Sequence, residues 1–340
     1  MRSVVRPRTV FRAAQGGQTR SDPAAPSSAG ASFAPDGSGN LSTVGVPSWV
    51  SLTAPSAGSG LLAGDANSQW YITADNVTVN GLAFPAPTAP FPEDDNGVQQ
   101  PLLKNVITVL GNNATIKNCS FRGDAMRAVD TMNAGTGTLV QDCTFGVRGN
   151  AAISNFDDAA VSGHRFTVNR CDFVACGNDA IKMGDDTTTK NSYIHHFATV
   201  TGGHGDGIQG IDTPHRIVIY NNYIDLGINA DGPTGYQALP NSAVIITPWT
   251  IVESGPANNS VATMLIDHNV FGGGHLTFHV DTGFQFGIWV TSNRFLGTHD
   301  AEGAPIQNTD QGSPIPAPAT FTGNVKSNGT TPMAWTDTSA

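Results

Sequence analysis

Seven short signatures recur along the chain, and their spacing constrains the fold more than any other feature. They are Asn118-Cys119-Ser120-Phe121, Asp142-Cys143-Thr144-Phe145, Arg170-Cys171-Asp172-Phe173, Asn191-Ser192-Tyr193-Ile194, Asn221-Asn222-Tyr223-Ile224, His268-Asn269-Val270-Phe271 and Ser292-Asn293-Arg294-Phe295. The steps between their last residues are 24, 28, 21, 30, 47 and 24. A weaker copy, Val77-Thr78-Val79-Asn80, leads to Phe84. Alternating stretches such as Thr115-Ile116-Lys117, Thr138-Leu139-Val140, Phe166-Thr167-Val168, Ile217-Val218-Ile219 and Met264-Leu265-Ile266 precede the signatures and read as strands with one face inward. A strand-based period of this length means a solenoid, because one coil cannot bury its apolar face without a neighbour.

The expected fold is therefore all-β: a right-handed parallel β-helix over residues 61–303, preceded by an extended arm over 1–60 and followed by a last coil and tail over 304–340. In-register coils ~4.8 Å apart place equivalent residues above one another, and eight or nine coils give a rod about 40 Å long. Phe121, Phe145, Phe173, Phe271 and Phe295 should then form an internal aromatic stack. Cys119, Cys143 and Cys171 share one repeat position, continued by Ser192, Asn222, Asn269 and Asn293. These cysteines read as small buried side chains, since stacked neighbours hold Cβ atoms farther apart than a disulfide wants and no zinc spacing is present. Cys176 has no assigned place. The 47-residue step should hold an inserted loop, around Asp225–Gln237 or Glu253–Asn259.

Composition agrees with a strand-built chain: charged residues are only 13%, and there are 39 glycines. A net charge of −10 argues against nucleic acid as a partner. Five of the 17 basic side chains (Arg2, Arg6, Arg8, Arg12 and Arg20) fall in residues 1–20, which hold no acid, so the arm is suited to contact something the acidic body does not. A solvated tail is the alternative. No apolar run reaches the ~18 residues that span a bilayer, so membrane insertion is not expected. The start also lacks the apolar stretch of a secretory signal, which leaves cell lysis as another exit.

The stretch 178–215 holds the densest chemistry. Asn178-Asp179-Ala180-Ile181-Lys182-Met183-Gly184-Asp185 aligns with Gly205-Asp206-Gly207-Ile208-Gln209-Gly210-Ile211-Asp212. Asp124-Ala125-Met126-Arg127 and Asn150-Ala151-Ala152-Ile153-Ser154 fit the same frame from earlier coils. Stacking puts Asp124, Asp179 and Asp206 on one edge of a strip, Arg127, Lys182 and Gln209 pointing out from it, and Asp185, Asp186 and Asp212 on the other edge, with His204, His195 and His196 bordering. Adjacent carboxylates raise one another's pKa, so one can serve as general acid while the other acts as base or nucleophile. Asp179, Asp185, Asp206, His204 and Asp212 are the candidate catalytic residues, and Arg127, Lys182, Gln209, Asp186 and His195 the candidate ligand-binding ones. Glycoside cleavage needs such a carboxylate pair ~5–9 Å apart, and a β-elimination lyase needs a base plus a cation for the substrate carboxylate. The set requires no cofactor, although several aspartates could together hold Ca²⁺. Aspartates at solenoid turns also cap backbone groups with no chemical role.

The coil signatures over about 76–297 resemble the pectate-lyase-like right-handed β-helix superfamily, and His204-Gly205-Asp206-Gly207-Ile208-Gln209 resembles a motif of such repeat proteins in actinobacteria and their phages. Gly184-Asp185-Asp186 and Gly203-His204-Gly205 are locally similar to polygalacturonase motifs, whereas the Asn-Thr-Asp and Arg-Ile-Lys motifs of those enzymes are absent. The resemblance implies a carbohydrate ligand and leaves activity open. It leads to the expectation of a bacteriophage virion protein of tail-tip or tailspike type. Such a protein binds host surface polysaccharide, with or without cleaving it, docks other virion proteins through its arm and assembles as a homotrimer. The alternatives are a secreted, extracellular polysaccharide lyase or glycoside hydrolase, and a non-catalytic structural virion component.

Overall fold

The computed structural model describes residues 44–337 apart from 59, 92, 94–96, 98–103, 147–155, 175, 196, 198–204, 211–215, 227–239, 247–262, 281–286, 298–303, 308, 311–312 and 315–316. The described residues form a right-handed parallel β-helix. Each full coil contributes one strand to each of three sheets, of ten, nine and eight strands. The first sheet contains Ser68–Ile72, Asn105–Val109, Ala125–Thr131, Phe156–Gly163, Asp179–Met183, Asp206–Gly210, Ser242–Ile246, Leu276–Val280 and Ala304–Gln307, all parallel, with Leu62–Ala63 added antiparallel at its start. The second sheet runs from Thr78–Asn80 to Thr320–Thr322, and the third from Ala83–Phe84 to Arg294–Gly297.

The signatures make the corner between the second and third sheets. Their first residues, Asn118, Asp142, Arg170, Asn191, Asn221, His268 and Ser292, all have φ between 52° and 57°. That left-handed bend turns the chain sharply, and Asn and Asp tolerate it best among residues with a Cβ. The second signature residue then points inward. Asn222, Asn269, Asn293 and Asn324 are buried and stack as a ladder. Asn269 Oδ1 accepts from the backbone N–H of Asn222 at 2.9 Å, while its Nδ2 donates to the carbonyls of Ile219 (2.9 Å) and Asp267 (3.0 Å). Each amide thus satisfies backbone groups left over at the bend, which would otherwise be buried without partners. Ser192 extends the ladder, and Cys171, Cys143 and Cys119 replace it in the lower coils; all four cysteines are free and buried.

The last signature residue faces the core one step on. Phe84, Phe121, Phe145 and Phe173 stack with centroids 4.8, 4.9 and 4.6 Å apart and rings within 7° of parallel. Ile194 and Ile224 occupy the same column above them, and the aromatics resume with Phe271 and Phe295, edge to face at 5.7 Å. Trp335 closes the far end of the core, 6.4 Å from Phe278 and 5.8 Å from Phe321.

The 47-residue step contains one ordinary first-sheet strand, Ser242–Ile246, with long connections on both sides; the expected insert positions fall almost entirely outside the described residues. Residues 44–53, within the span expected as an arm, run against the outside of the third sheet. Gly45 N donates to the Arg170 carbonyl and Val46 N to Thr144 Oγ1, and Thr53 exchanges backbone bonds with Gly81 and Ala83 at the first coil.

Candidate functional site

Five first-sheet strands share a four-residue pattern: Arg127-Ala128-Val129-Asp130, Ala159-Ala160-Val161-Ser162, Asp179-Ala180-Ile181-Lys182, Asp206-Gly207-Ile208-Gln209 and Ser242-Ala243-Val244-Ile245. Strict alternation would put residues i and i+3 on opposite faces. Here the two middle residues are both buried, and the ion pairs Arg127–Asp130 and Lys182–Asp179 show that the outer members share one face. The first middle residue is always Ala or Gly, because it lies hard against the next coil. A Cβ on Gly207 would come within 2.5 Å of the Ala243 carbonyl oxygen and 2.9 Å of Ile224 Cγ2. The Gly of the Asp-Gly-Ile-Gln motif is thus a packing requirement.

The polar members of the outer positions, joined by Asn105, Asp158 and Asn241, build a polar strip. Asn105 Nδ2 donates to Asp130 Oδ2 at 2.9 Å, and Asp130 Oδ1 lies 3.3 Å from Arg127 Nη1. Arg127 Nε reaches Asp158 Oδ2, and Lys182 Nζ reaches the other oxygen of the same carboxylate. Lys182 Nζ is also 3.3 Å from Asp179 Oδ2. Asp179 Oδ1 accepts from the backbone N–H of Asp206 at 2.8 Å, and Asp206 Oδ1 accepts from Asn241 Nδ2 at 3.0 Å. Asn241 Nδ2 contacts Ser242 Oγ at 3.2 Å.

The carboxyls along this strip are not equivalent. Asp179 is pushed well above the usual carboxylate range, first by burial and then by the neighbouring Asp206, with Lys182 opposing. Burial also works to raise Asp158, but Arg127 and Lys182 outweigh it and hold that carboxyl below its usual range. The strip therefore pairs a carboxylate that stays ionised with a carboxyl suited to keep a proton, one coil apart.

The expected site residues separate accordingly. Asp179, Asp206, Lys182 and Gln209 lie together, with Lys182 opposite Gln209 in register. Arg127 belongs to the strip but not where it was expected: it sits in the column of Ala159 and Asp179, and Asp130 holds the position below Ser162 and Lys182. The tetrad Asp124-Ala125-Met126-Arg127 imitates the repeat three residues early; Phe156–Gly163 supplies the first-sheet strand of the fourth coil, and Asn150–Ser154 lies outside the described residues. Asp185 and Asp186 leave the strip for the corner between the first and second sheets. Asp185 N donates to His164 Nδ1 at 2.9 Å, and Asp186, exposed at φ 53°, meets Arg216 at 3.2 Å. His195 is not at the border of the strip at all. It lies on the third sheet, buried, with Nε2 2.8 Å from Asp172 Oδ1 and its ring on Tyr193. His204, His196 and Asp212 lie outside the described residues.

Asp158, Asp130, Asn105 and Asn241 join the strip without having been singled out in the sequence. The polar-small-Val/Ile-polar pattern would have found Asp130, whereas Asp158 enters through a register shift between Phe156 and Ala159. Among the described residues no group of three or more His, Cys, Asp or Glu side chains is arranged to hold a metal ion, so the Ca²⁺ option has no site there.

Comparison with protein-family models, with curated proteins and with solved structures found no match to this chain. The candidate site is accordingly read from its own geometry.

Proposed function

We propose that this chain is a bacteriophage virion protein of tail-tip or tailspike type that binds host cell-surface glycan along the outer face of the first sheet. The strip from Asn105 to Ser242 is the observation that carries this reading: hydrogen-bonding side chains recur on one face over consecutive strands, with Arg127, Asp158 and Lys182 as its partly exposed members above a buried polar base. A straight rank of polar groups at ~4.8 Å intervals suits a repeating polymer, which it engages at many weak points at once. Binding is better supported than cleavage, because Asp179 and Asp206 are buried and each carboxyl already accepts a hydrogen bond from the protein. The Arg-rich start is read as the segment that docks to other virion proteins, and a trimer as the assembly.

The test incubates the purified full chain with envelope fractions and surface polysaccharides of candidate bacterial hosts. Co-sedimentation, reducing ends and unsaturated-uronate absorbance are followed for wild type and Asp206→Asn. Saturable binding without turnover is the expected result. Turnover lost in Asp206→Asn would replace the adhesin by an enzyme, and absence of binding to every polysaccharide would leave a structural component instead.

A further inference from the structure

Two cations stand on the strands of the first sheet among the described residues, Arg127 and Lys182. Both are spoken for by one carboxylate. Asp158 offers Oδ2 to Arg127 Nε and Oδ1 to Lys182 Nζ, so each oxygen carries a charged donor. The second contacts of the cations are also internal: Arg127 Nη1 to Asp130 at 3.3 Å, and Lys182 Nζ to Asp179 at 3.3 Å. The three side chains are only 21%, 16% and 19% exposed, so these pairs are poorly screened and do not open freely to solvent.

We propose that Asp158 sets the glycan class of the strip: by occupying Arg127 and Lys182 it takes both cations of the described first-sheet strands away from a sugar carboxylate, so that the ligand is a neutral polysaccharide without uronic acid. This inference rests on the glycan-binding reading above. A uronate laid on the strip would lose water beside the partly exposed Asp158 carboxylate without gaining a charged donor, an arrangement that rejects it. A neutral sugar needs only hydroxyl contacts, and the half-buried Asn241 is of the kind that supplies them. The same arrangement counts against β-elimination, which requires the substrate carboxylate to be neutralised. Asp158 acts here as a positioning residue through its two cations.

The experiment immobilises polygalacturonate, alginate and a panel of uronate-free bacterial O-polysaccharides, and measures binding of the full chain and of Asp158→Asn at low and at roughly 0.5 M salt. Wild type should bind a neutral polymer and bind both polyuronates at least about tenfold more weakly. Asp158→Asn should gain about tenfold on polygalacturonate, and the gain should vanish at high salt, because freed cations would be its source. Wild type binding polyuronate as well as any neutral polymer would overturn the inference while leaving the adhesin intact. Binding to none of the polymers would remove the adhesin and the inference together. A folded Asp158→Asn, judged by its circular dichroism and melting, that gains nothing would overturn the role of Asp158. If the variant does not fold, the wild-type ranking of polymers decides alone.

Discussion

The backbone N–H of Asp206 donates to Asp179 Oδ1 at 2.8 Å, joining two buried acids on successive coils. The contact by itself favours the ionised form of Asp179, but burial and the second carboxyl outweigh it. Protonation of this one group therefore links the strip to pH.

The sign follows from the direction of the shift. A carboxyl raised in the folded state holds its proton where the unfolded chain has lost it, so stability falls as pH rises from the ordinary Asp value of 3.8 toward the folded value. Asp179→Asn keeps the acceptor and removes the charge. It should unfold at higher urea than wild type at about pH 8, by about 1–2 kcal/mol, with the advantage shrinking toward about pH 4. Equal pH dependence of the two proteins would show that Asp179 titrates normally.

Asp158 has the opposite sign. Its lowered carboxyl contributes stability above the unfolded value of 3.8 that is lost as pH falls through the folded value. Asp158→Asn leaves Arg127 and Lys182 half-paired and should cost about 3 kcal/mol at neutral pH, measured as a shift in urea midpoint, and much less in acid.

Asn269 is expected to be among the least replaceable side chains of the rod. Its removal orphans the buried N–H of Asn222 and takes a donor from the carbonyls of Ile219 and Asp267, of which Asp267 keeps the Asn221 N–H. Asn269→Ala should lower the guanidinium midpoint by an amount equivalent to about 3 kcal/mol. A loss under about 1 kcal/mol would mean that water or a rearranged corner satisfies these groups.

Gly45 tests the segment against the third sheet separately from the core. At φ 77°, an added Cβ would meet Thr144 Oγ1 at 2.6 Å and Asp172 Cβ at 2.8 Å. Gly45→Ala should release residues 44–53 to proteolysis while moving the melting temperature of the rod by less than about 2 °C. Protection equal to wild type would place the anchor of this segment elsewhere.

Packing governs the aromatic column. Phe145 is fully buried between Phe121 and Phe173. Phe145→Ala should cost about 3–5 kcal/mol and Phe145→Leu distinctly less, because leucine refills most of the space. Calorimetric unfolding of the two variants measures the difference.

The parallel β-helix was legible in the chain because each coil repeats the same local demands. A left-handed corner, a small or amide residue to satisfy it and an apolar residue after it are written at Asn118-Cys119-Ser120-Phe121 and again at Ser292-Asn293-Arg294-Phe295. Local sequence determined these columns, down to the change from cysteine to asparagine. Asn324 was the member missed, since no apolar signature residue follows it at the usual distance.

Register across coils was decided by tertiary structure. Asp124-Ala125-Met126-Arg127 and Arg127-Ala128-Val129-Asp130 both resemble the repeat as strings, the second more closely through Val129, and the pairing of Val129 with Ile107 and Val161 selects the second. His195 was drawn toward the strip by its nearness in sequence to Asp206, yet the turn of the coil carries it to another sheet. Asp158 entered the strip through a register shift that no periodicity announces. Sequence alone therefore determined the solenoid and its buried ladders, because those depend on neighbours within a coil. The charge pairing on the outer face was left to the tertiary structure, because it depends on which residues of separate coils are stacked, and stacking is set by the fit of the shared core.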